Sequence, residues 1–454
     1  MIVKKFKSSG LAHLSYLLIS GNEAAVIDPG IDIDKYLKVA EENSCTISAV
    51  FETHRHEDFI SGAARLAGVV GAPVYHGEKS DSPIVYAREV APGDSFEIGE
   101  LKLKIFAAPG HTLDSICLVL YENSSNLPVA VFTGDLLFSG DVGRTDFYPG
   151  REKEMAQVQF ESLQKLKELG SQAVIYPAHG AGSACGNNIS LREISTLGIE
   201  LQNNPWMKFN NYEEFAAEKI KLSKGKPAYF TKMEKLNSQG YTESGGLDFL
   251  SPLPVGDFKK LAPESIIIDT RSTSSFLGCH YPSSLAIPPE RISDFVSCCF
   301  DTQQSLLLIA DSSSQVREVS KLLWQMGFHN LRGYLAVSFM LWVAAGGRWC
   351  NLTGVGVNEI AARLQKKSDD WDLLDIREKE EYETEKIAGS LSFPLSGLKN
   401  KLHQLDKTSK YTVMCGSGVR AVVGASFLLS QGFVDVEVFA GSMGAWRASG
   451  GRLT

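Results

Sequence analysis

The sequence predicts a multidomain α/β protein whose second half is built on parallel sheets. Three observations predict it. The chain has 454 residues, room for about three domains at roughly 150 residues each. Residues 1–185 alternate short apolar runs, Gly/Asn turns and stretches of helical period, a mixed α/β pattern. The last two hundred or so residues contain an internal repeat whose units each read strand, helix, strand, helix, which implies small α/β domains with parallel sheets.

In chain order, SYLLISGNEAAVIDPG (15–30) reads as two strands around a Gly21-Asn22 turn. ISAVFETH is a strand ending at His54, and FISGAARLAGVVG is a helix. LKLKIFAAPGH is a strand ending at His111, and PVAVFTGD is a strand ending at Asp135. REKEMAQVQFESLQKLKELG has apolar residues at helical spacing and closes on a C-cap glycine, Gly170. AVIYPAH is a strand ending at His179. Four metal-ligating side chains therefore stand at four separate strand ends, a convergence that a stray loop histidine does not produce. Residues 186–250 are polar and helical in tone and read as a helical extension and linker, a packing bracket between domains. The repeat then pairs SIIIDTRSTSSFLGCHYPSSLAIP (265–288) with WDLLDIREKEEYETEKIAGSLSFP (371–394), and SLLLIADSSSQVREVSKLLWQMGF (305–328) with YTVMCGSGVRAVVGASFLLSQGF (411–433). The boundaries are 1–185, 186–250, 251–350 and 351–454.

The composition, 44% hydrophobic and 22% charged with a net charge of −8, is that of a soluble globular protein and argues against nucleic acid or anionic membrane as the main partner. No apolar run reaches the roughly 18 residues a spanning helix needs, and the early lysines lead into strands rather than a signal peptide. A cytoplasmic location is expected. The eight cysteines are scattered without a CxxC pair, so neither a disulfide framework nor a structural zinc pattern is present.

Imidazoles and a carboxylate at convergent strand ends suit a borderline divalent metal such as zinc or iron. Together THRHED, PGHT, TGDLLF and PAH resemble the metallo-β-lactamase fold, which implies an αββα sandwich over residues 1–185. That fold usually carries T-H-x-H-x-D-H and often two metals, and here Phe59 stands where the last histidine would be. A phenyl ring cannot coordinate, so a second metal site is expected to be lost or very weak. The sequence is similar to the persulfide dioxygenases, which hold one ferrous iron on two histidines and an aspartate. The resemblance implies His54, His111 and Asp135 as ligands of one Fe(II) per chain, with zinc as an alternative in isolated protein, and leaves His56, Asp58 and His179 around them to orient ligands or hold water, or as relics of a second site. SGDVGRTDF (139–147) strengthens it. In that family the arginine of this stretch contacts the thiol carrier, so Arg144 is expected to offer its fork to a carboxylate; the alternative is that Arg144 and Asp146 pair and brace the loop.

Cys415 follows a β-like run and precedes a helix, with Gly416, Ser417, Gly418 and Val419 between it and Arg420. Such a loop can turn its N–H groups inward as an anion cradle, and the helix N-terminus and Arg420 favour the thiolate. The pattern, with DIR (375–377) and IAGSLSFP (387–394), resembles the rhodanese sulfurtransferases, in which the loop cysteine carries sulfane sulfur. The related phosphatases have one more residue in the loop. The other repeat copy has Ala310 or Asp311 opposite Cys415, neither able to carry sulfur, and is expected to be catalytically silent.

The resemblance implies two rhodanese-like α/β domains, the first degenerate and the second active, behind the metal domain. The expected activity is oxidation of a low-molecular-weight thiol persulfide (glutathione, coenzyme A or similar) by O₂ to sulfite and free thiol, with persulfide/thiosulfate sulfur transfer at Cys415 in either direction. The family tends to self-associate, so a homo-oligomer is expected. Two alternatives stand beside this reading: a metal-dependent thioester hydrolase of the glyoxalase II type fused to a sulfurtransferase, and a sulfurtransferase whose N-terminal domain is silent.

Overall fold

The computed structural model describes all residues except 9, 123, 124, 126, 224, 225, 228, 244–249, 300 and 367–369. The end of the expected linker, 244–249, and the side chains of Cys298 and Cys299 lie outside that description. The chain forms two compact units, residues 1–247 with 325–327, and residues 248–324 with 328–454.

The first unit holds two six-stranded sheets. Strand His13–Ser20 is buried along its whole length, because its two faces serve two cores. Leu14, Tyr16 and Leu18 meet Leu103, Ile105, Leu118 and Phe132 of the other sheet. Leu17 and Ile19 face outward to Tyr36 and Leu66 on the helices Asp34–Glu42 and Ala63–Val70. The outer face of the second sheet is covered by Leu163 and Leu166 of helix Glu152–Lys167 and Phe215 of helix Tyr212–Lys221. Helix, sheet, sheet, helix is the expected sandwich. Strand Leu101–Ala107 shows the period-2 logic at an amphipathic position, with Leu101, Leu103 and Ile105 inside and Lys102 and Lys104 outside.

The expected strands all form, each ending one to four residues before its candidate ligand: Thr46–Glu52, Leu101–Ala107, Pro128–Gly134 and Val174–Pro177. Strands His13–Ser20 and Glu23–Ile27 pair antiparallel around Gly21. The helix expected to close at Gly170 instead ends at Lys167, capped by Glu168. Gly170 has φ +92°, which serves the following turn rather than the helix cap.

The 186–250 stretch forms helices Leu197–Asn203, Tyr212–Lys221 and Phe230–Gln239 and a short strand, Ser195–Thr196, paired with Val174–Pro177. Its described residues through 243 belong to the first unit, and its last helix fastens the 54–61 loop. Asn237 Nδ2 donates to the carbonyls of His56 (2.6 Å) and Phe59 (2.8 Å), and Ser61 N donates to Asn237 Oδ1 (2.9 Å). Asn237→Ala leaves three buried backbone groups without partners and should destabilise the unit by on the order of 3 kcal/mol, measured by urea denaturation.

The second unit contains two five-stranded sheets in the same order, parallel throughout. The two copies share their pins. Arg271 is bidentate to Asp269 as Arg377 is to Asp375, and Trp342 Nε1 donates to Arg348 O as Trp446 Nε1 does to Arg452 O. Strand pairing fixes the register that the sequence leaves open. Asp269 pairs with Ile309, and Asp375 with Met414, so the next residues, Ala310 and Cys415, are equivalent.

Candidate functional site

The metal-facing atoms of the first unit are aimed by their backs. Thr53 Oγ1 donates its one hydrogen to Asp28 Oδ2 (2.9 Å), so it accepts from His54 Nδ1 (3.0 Å), and the lone pair of His54 sits on Nε2. His111 Nδ1 donates to the carbonyl of Arg144 (2.9 Å), which likewise leaves a lone pair on its Nε2. Both Nε2 atoms are buried without a hydrogen-bond partner. Asp135 Oδ2 lies 3.2 Å from His111 Nε2 and 3.9 Å from His54 Nε2. Burial holds His54 and His111 below the ordinary imidazole range against the pull of Asp135, and neutral imidazole is the ligating form. Burial would raise Asp135, but His179, His111 and His54 outweigh it and keep it a carboxylate. Two lone pairs and an anionic oxygen facing one another repel unless a cation lies between them, so these residues fit a divalent metal.

His179 Nδ1 donates to both oxygens of Asp135 (2.8 and 3.0 Å), and its Nε2 lies 3.0 Å from Asp58 Oδ2. His56 Nε2 lies 3.2 Å from Asp28 Oδ1. His179 thus links Asp135 to Asp58, and His56 meets Asp28. Phe59 is buried, with its ring centroid 3.9 Å from His13 and 4.6 Å from His56, so hydrocarbon stands beside these two imidazoles.

Four residues at this centre escaped the sequence reading. Asp28, at a strand end in IDPG, accepts from Thr53 N (2.7 Å) as well as from its hydroxyl. Groups that orient ligands carry about 10–100-fold in metal affinity, so Asp28→Ala should weaken metal binding by about that factor in an anaerobic Fe(II) titration. Glu57 is buried with both oxygens unpartnered, and its ligand atom groups with those of His54 and His111 within 4.8 Å. Burial pushes it well above the usual carboxylate range, against Arg55. Cys185 groups with Asp58 and His179, and again with His111 and Asp135, within the same 4.8 Å. Arg55 donates from its backbone to Asp114 (2.9 Å) and from its guanidinium to Glu234 (3.2 Å).

Arg144 is bidentate to Asp146 (2.6 and 2.7 Å) while its carbonyl fixes His111. The internal brace is therefore the arrangement present. A cavity of about 570 Å³ opens beside the centre, lined by Arg55, Lys226, Lys235, Glu234, Tyr148 and Phe147. The Phe147 ring, which lines the cavity, lies 4.9 Å from that of His111, so one aromatic ring separates the cavity from that histidine. Its size and mixed lining suit a small polar molecule.

In the second unit, Cys415 follows strand Lys410–Met414 and precedes helix Val419–Ser430. Gly418 N donates to Cys415 Sγ (3.1 Å), and Cys415 N donates to Ser442 Oγ (3.0 Å). Gly418 sits at φ +106°, a value open to glycine, and this turns its N–H onto the sulfur. Arg420 reaches the loop, its Nη2 standing 3.5 Å from where a Gly416 Cβ would be, but its two terminal nitrogens are held by Glu381 (2.6 and 2.7 Å). In the other copy Gln315 closes the equivalent loop, accepting from Asp311 N and donating to Thr270 O (both 2.8 Å).

Residues 9–179 match the Metallo-beta-lactamase superfamily. Over 183 residues the chain is 33% identical to a hydroxyacylglutathione hydrolase of Francisella philomiragia subsp. philomiragia, covering 39% of this chain and 68% of that one. The chain belongs to the metallo-beta-lactamase superfamily. Residues 357–449 of this superfamily member match the Rhodanese-like domain, so the superfamily fold is followed by rhodanese-like architecture on parallel sheets. A crystal structure of a metallo-beta-lactamase from Staphylococcus aureus subsp. aureus COL superposes with a TM-score of 0.66 at 29% identity, covering 74% of this chain and 98% of that one. The crystal structure of ETHE1 from Myxococcus xanthus gives a TM-score of 0.46 at 27% identity, covering 52% of this chain and 98% of that one. Among the described residues, no helix is long and apolar enough to cross a membrane.

Proposed function

We propose that the chain is a non-haem iron persulfide dioxygenase joined to a rhodanese-type sulfurtransferase, acting on low-molecular-weight thiol persulfides in sulfide detoxification. The observation that carries the reading is the convergence of His54 Nε2, His111 Nε2 and Asp135 Oδ2, the Asp135 oxygen 3.9 and 3.2 Å from the two nitrogens, beside a phenylalanine. Two imidazoles and one carboxylate leave positions open for a substrate and for dioxygen. The chemistry ferrous iron supplies when bound there is activation of O₂ next to the terminal sulfur of the persulfide.

The protein's own work is binding and orientation. The thiol carrier occupies the cavity, where Arg55, Lys226 and Lys235 offer positive charge. Phe147 packs between the cavity and His111, directing the persulfide end toward the metal-facing atoms. His179 holds Asp135 in orientation. The persulfide, O₂ and water give sulfite and free thiol. At the second site, Cys415 exchanges sulfane sulfur as Cys–S–SH, its sulfur held by the Gly418 N–H. With sulfite the product is thiosulfate, and the reverse direction returns persulfide. Ala310 and the Gln315-closed loop make the other copy silent in this exchange.

A second reading, thioester hydrolysis with two metals, is favoured by the grouping of Asp58, His179 and Cys185 and by the name of the Francisella relative. Against it stands His179, whose two nitrogens are both turned to carboxylates. O₂ uptake and sulfite release by the iron-loaded chain with glutathione persulfide test the proposal. One iron per chain with O₂ uptake supports it, whereas two metals per chain and turnover of a glutathione thioester without O₂ uptake would replace it with the hydrolase.

A further inference from the structure

The rhodanese-like copy that lacks the loop cysteine carries a different thiol with a base against it. Cys350 Sγ lies 3.0 Å from His280 Nε2. His280 Nδ1 donates to the carbonyl of Phe276 (2.7 Å), and its ring stacks on the Phe276 ring with centroids 3.9 Å apart and planes at 6°. Because Nδ1 carries the hydrogen, Nε2 presents a lone pair, and the Cys350 thiol donates to it. The backbone fixes the pair, with His280 N donating to Cys350 O and Cys350 N to His280 O, both at 2.9 Å. His280 is buried, while Cys350 and the neighbouring Cys279 are partly exposed.

The other copy supplies the control. It makes the same backbone pairing between Lys386 and Thr454, at 3.0 Å in both directions. The arginine that holds this segment is also equivalent, Arg271 donating to Cys279 O and Arg377 to Glu385 O (2.8 and 2.7 Å). The fold therefore needs the pairing but not a thiol and an imidazole. A nucleophile within hydrogen-bond reach of a base, with that base oriented by a third group, is the arrangement of an activated cysteine. Burial holds His280 below its ordinary value and Cys350 above its own, so the resting pair is a thiol and a neutral imidazole, and the proton passes only on attack.

We propose that Cys350, with His280 as its base, is a second sulfur-accepting site, taking sulfane sulfur from small-molecule persulfides; the choice of sulfur donor rests on the persulfide reading above. Cys350 Sγ attacks the terminal sulfur of R–S–SH as its proton moves to His280 Nε2. The Sγ–S bond forms, the S–S bond between RS and that terminal sulfur breaks, and the thiolate RS⁻ leaves with the electron pair and recovers the proton from His280. Cys–SH and R–S–SH become Cys–S–SH and R–SH, with no external oxidant or reductant.

The test uses the full chain with Cys415→Ser, exposed to glutathione persulfide without O₂, freed of excess reagent and read by peptide mass spectrometry. Cys350 is expected to gain one sulfur atom at least about 10-fold faster than Cys279. Adding His280→Asn should slow that gain by about 10-fold or more, the low side of general-base assistance. A Cys350 that stays unlabelled, or labels no faster than Cys279, or is indifferent to His280→Asn in a folded protein, overturns the proposal. Alkylation of the unaltered chain with iodoacetamide reads the same Cys350-over-Cys279 preference without any substitution. An unlabelled Cys350 in a chain that consumes O₂ sinks this site alone. A labelled Cys350 in a chain that consumes none sinks the dioxygenase alone.

Discussion

His111→Ala protein is expected to consume no O₂ with glutathione persulfide, and to bind Fe(II) more than about 100-fold more weakly than the unaltered chain. The magnitude follows from its place in the centre. Removing a residue that only orients a ligand costs about 10–100-fold, and His111 supplies a metal-facing atom itself, 3.2 Å from Asp135 Oδ2. The alanine also deletes the donor to the Arg144 carbonyl, so that carbonyl loses its side-chain partner and the loop carrying the Arg144–Asp146 pair loosens. Two readouts separate chemistry from folding: anaerobic iron titration reports the ligand loss, and the thermal transition reports the loop. O₂ uptake at the unaltered rate would overturn the iron assignment. Retained iron with lost uptake would move His111 from the ligand set to a positioning role.

His54, His111, Asp135 and His179 were legible because a β-strand ends where its apolar run ends, and the loops that follow strand ends are where site residues gather. What surrounds them was less legible, since it depends on contacts between distant parts of the chain. Asp28 acts on Thr53, Asn237 on the 56–61 loop, and Cys185 approaches from beyond His179. Arg55 and Glu57 stood inside the motif itself; for Glu57, a carboxylate set between candidate ligands was the available signal. The 186–250 stretch illustrates the same limit. Its helical tone was readable, but that Asn237 would clamp the histidine loop was not, because helical character says nothing about which distant loop a buried polar residue meets.

In the second half the repeat was plain, yet one shifted residue separated Ala310 from Asp311 as the counterpart of Cys415. Only the ladder, Asp269 with Ile309 and Asp375 with Met414, decides it, because register is a property of pairing between strands. Arg420 is a parallel case. Its place in the loop suggested a charge that favours the thiolate, and the sequence did not show that Glu381, on another helix, takes both of its terminal nitrogens. The guanidinium is thereby held in a fixed orientation by two charge-assisted hydrogen bonds to Glu381.

That geometry leads to the second large effect. Cys415→Ser should lower thiosulfate-to-thiol sulfur exchange by at least about 1000-fold, in the range for loss of a catalytic nucleophile, while O₂ uptake with glutathione persulfide continues. Serine preserves the volume and can still accept from Gly418 N, whose distance to the sulfur is 3.1 Å, so the loop should stay folded. What it loses is the polarizable, acidic nucleophile that can form and release an S–S bond. The two activities therefore separate on one substitution, and mass spectrometry of the peptide carrying residue 415 should find sulfane sulfur on the cysteine chain and none on the serine chain. If exchange persists in the serine chain, the sulfur must pass through another thiol, and the residue to examine is Cys350. A double Cys415→Ser, Cys350→Ser chain that still exchanges sulfur would remove both cysteines from the pathway.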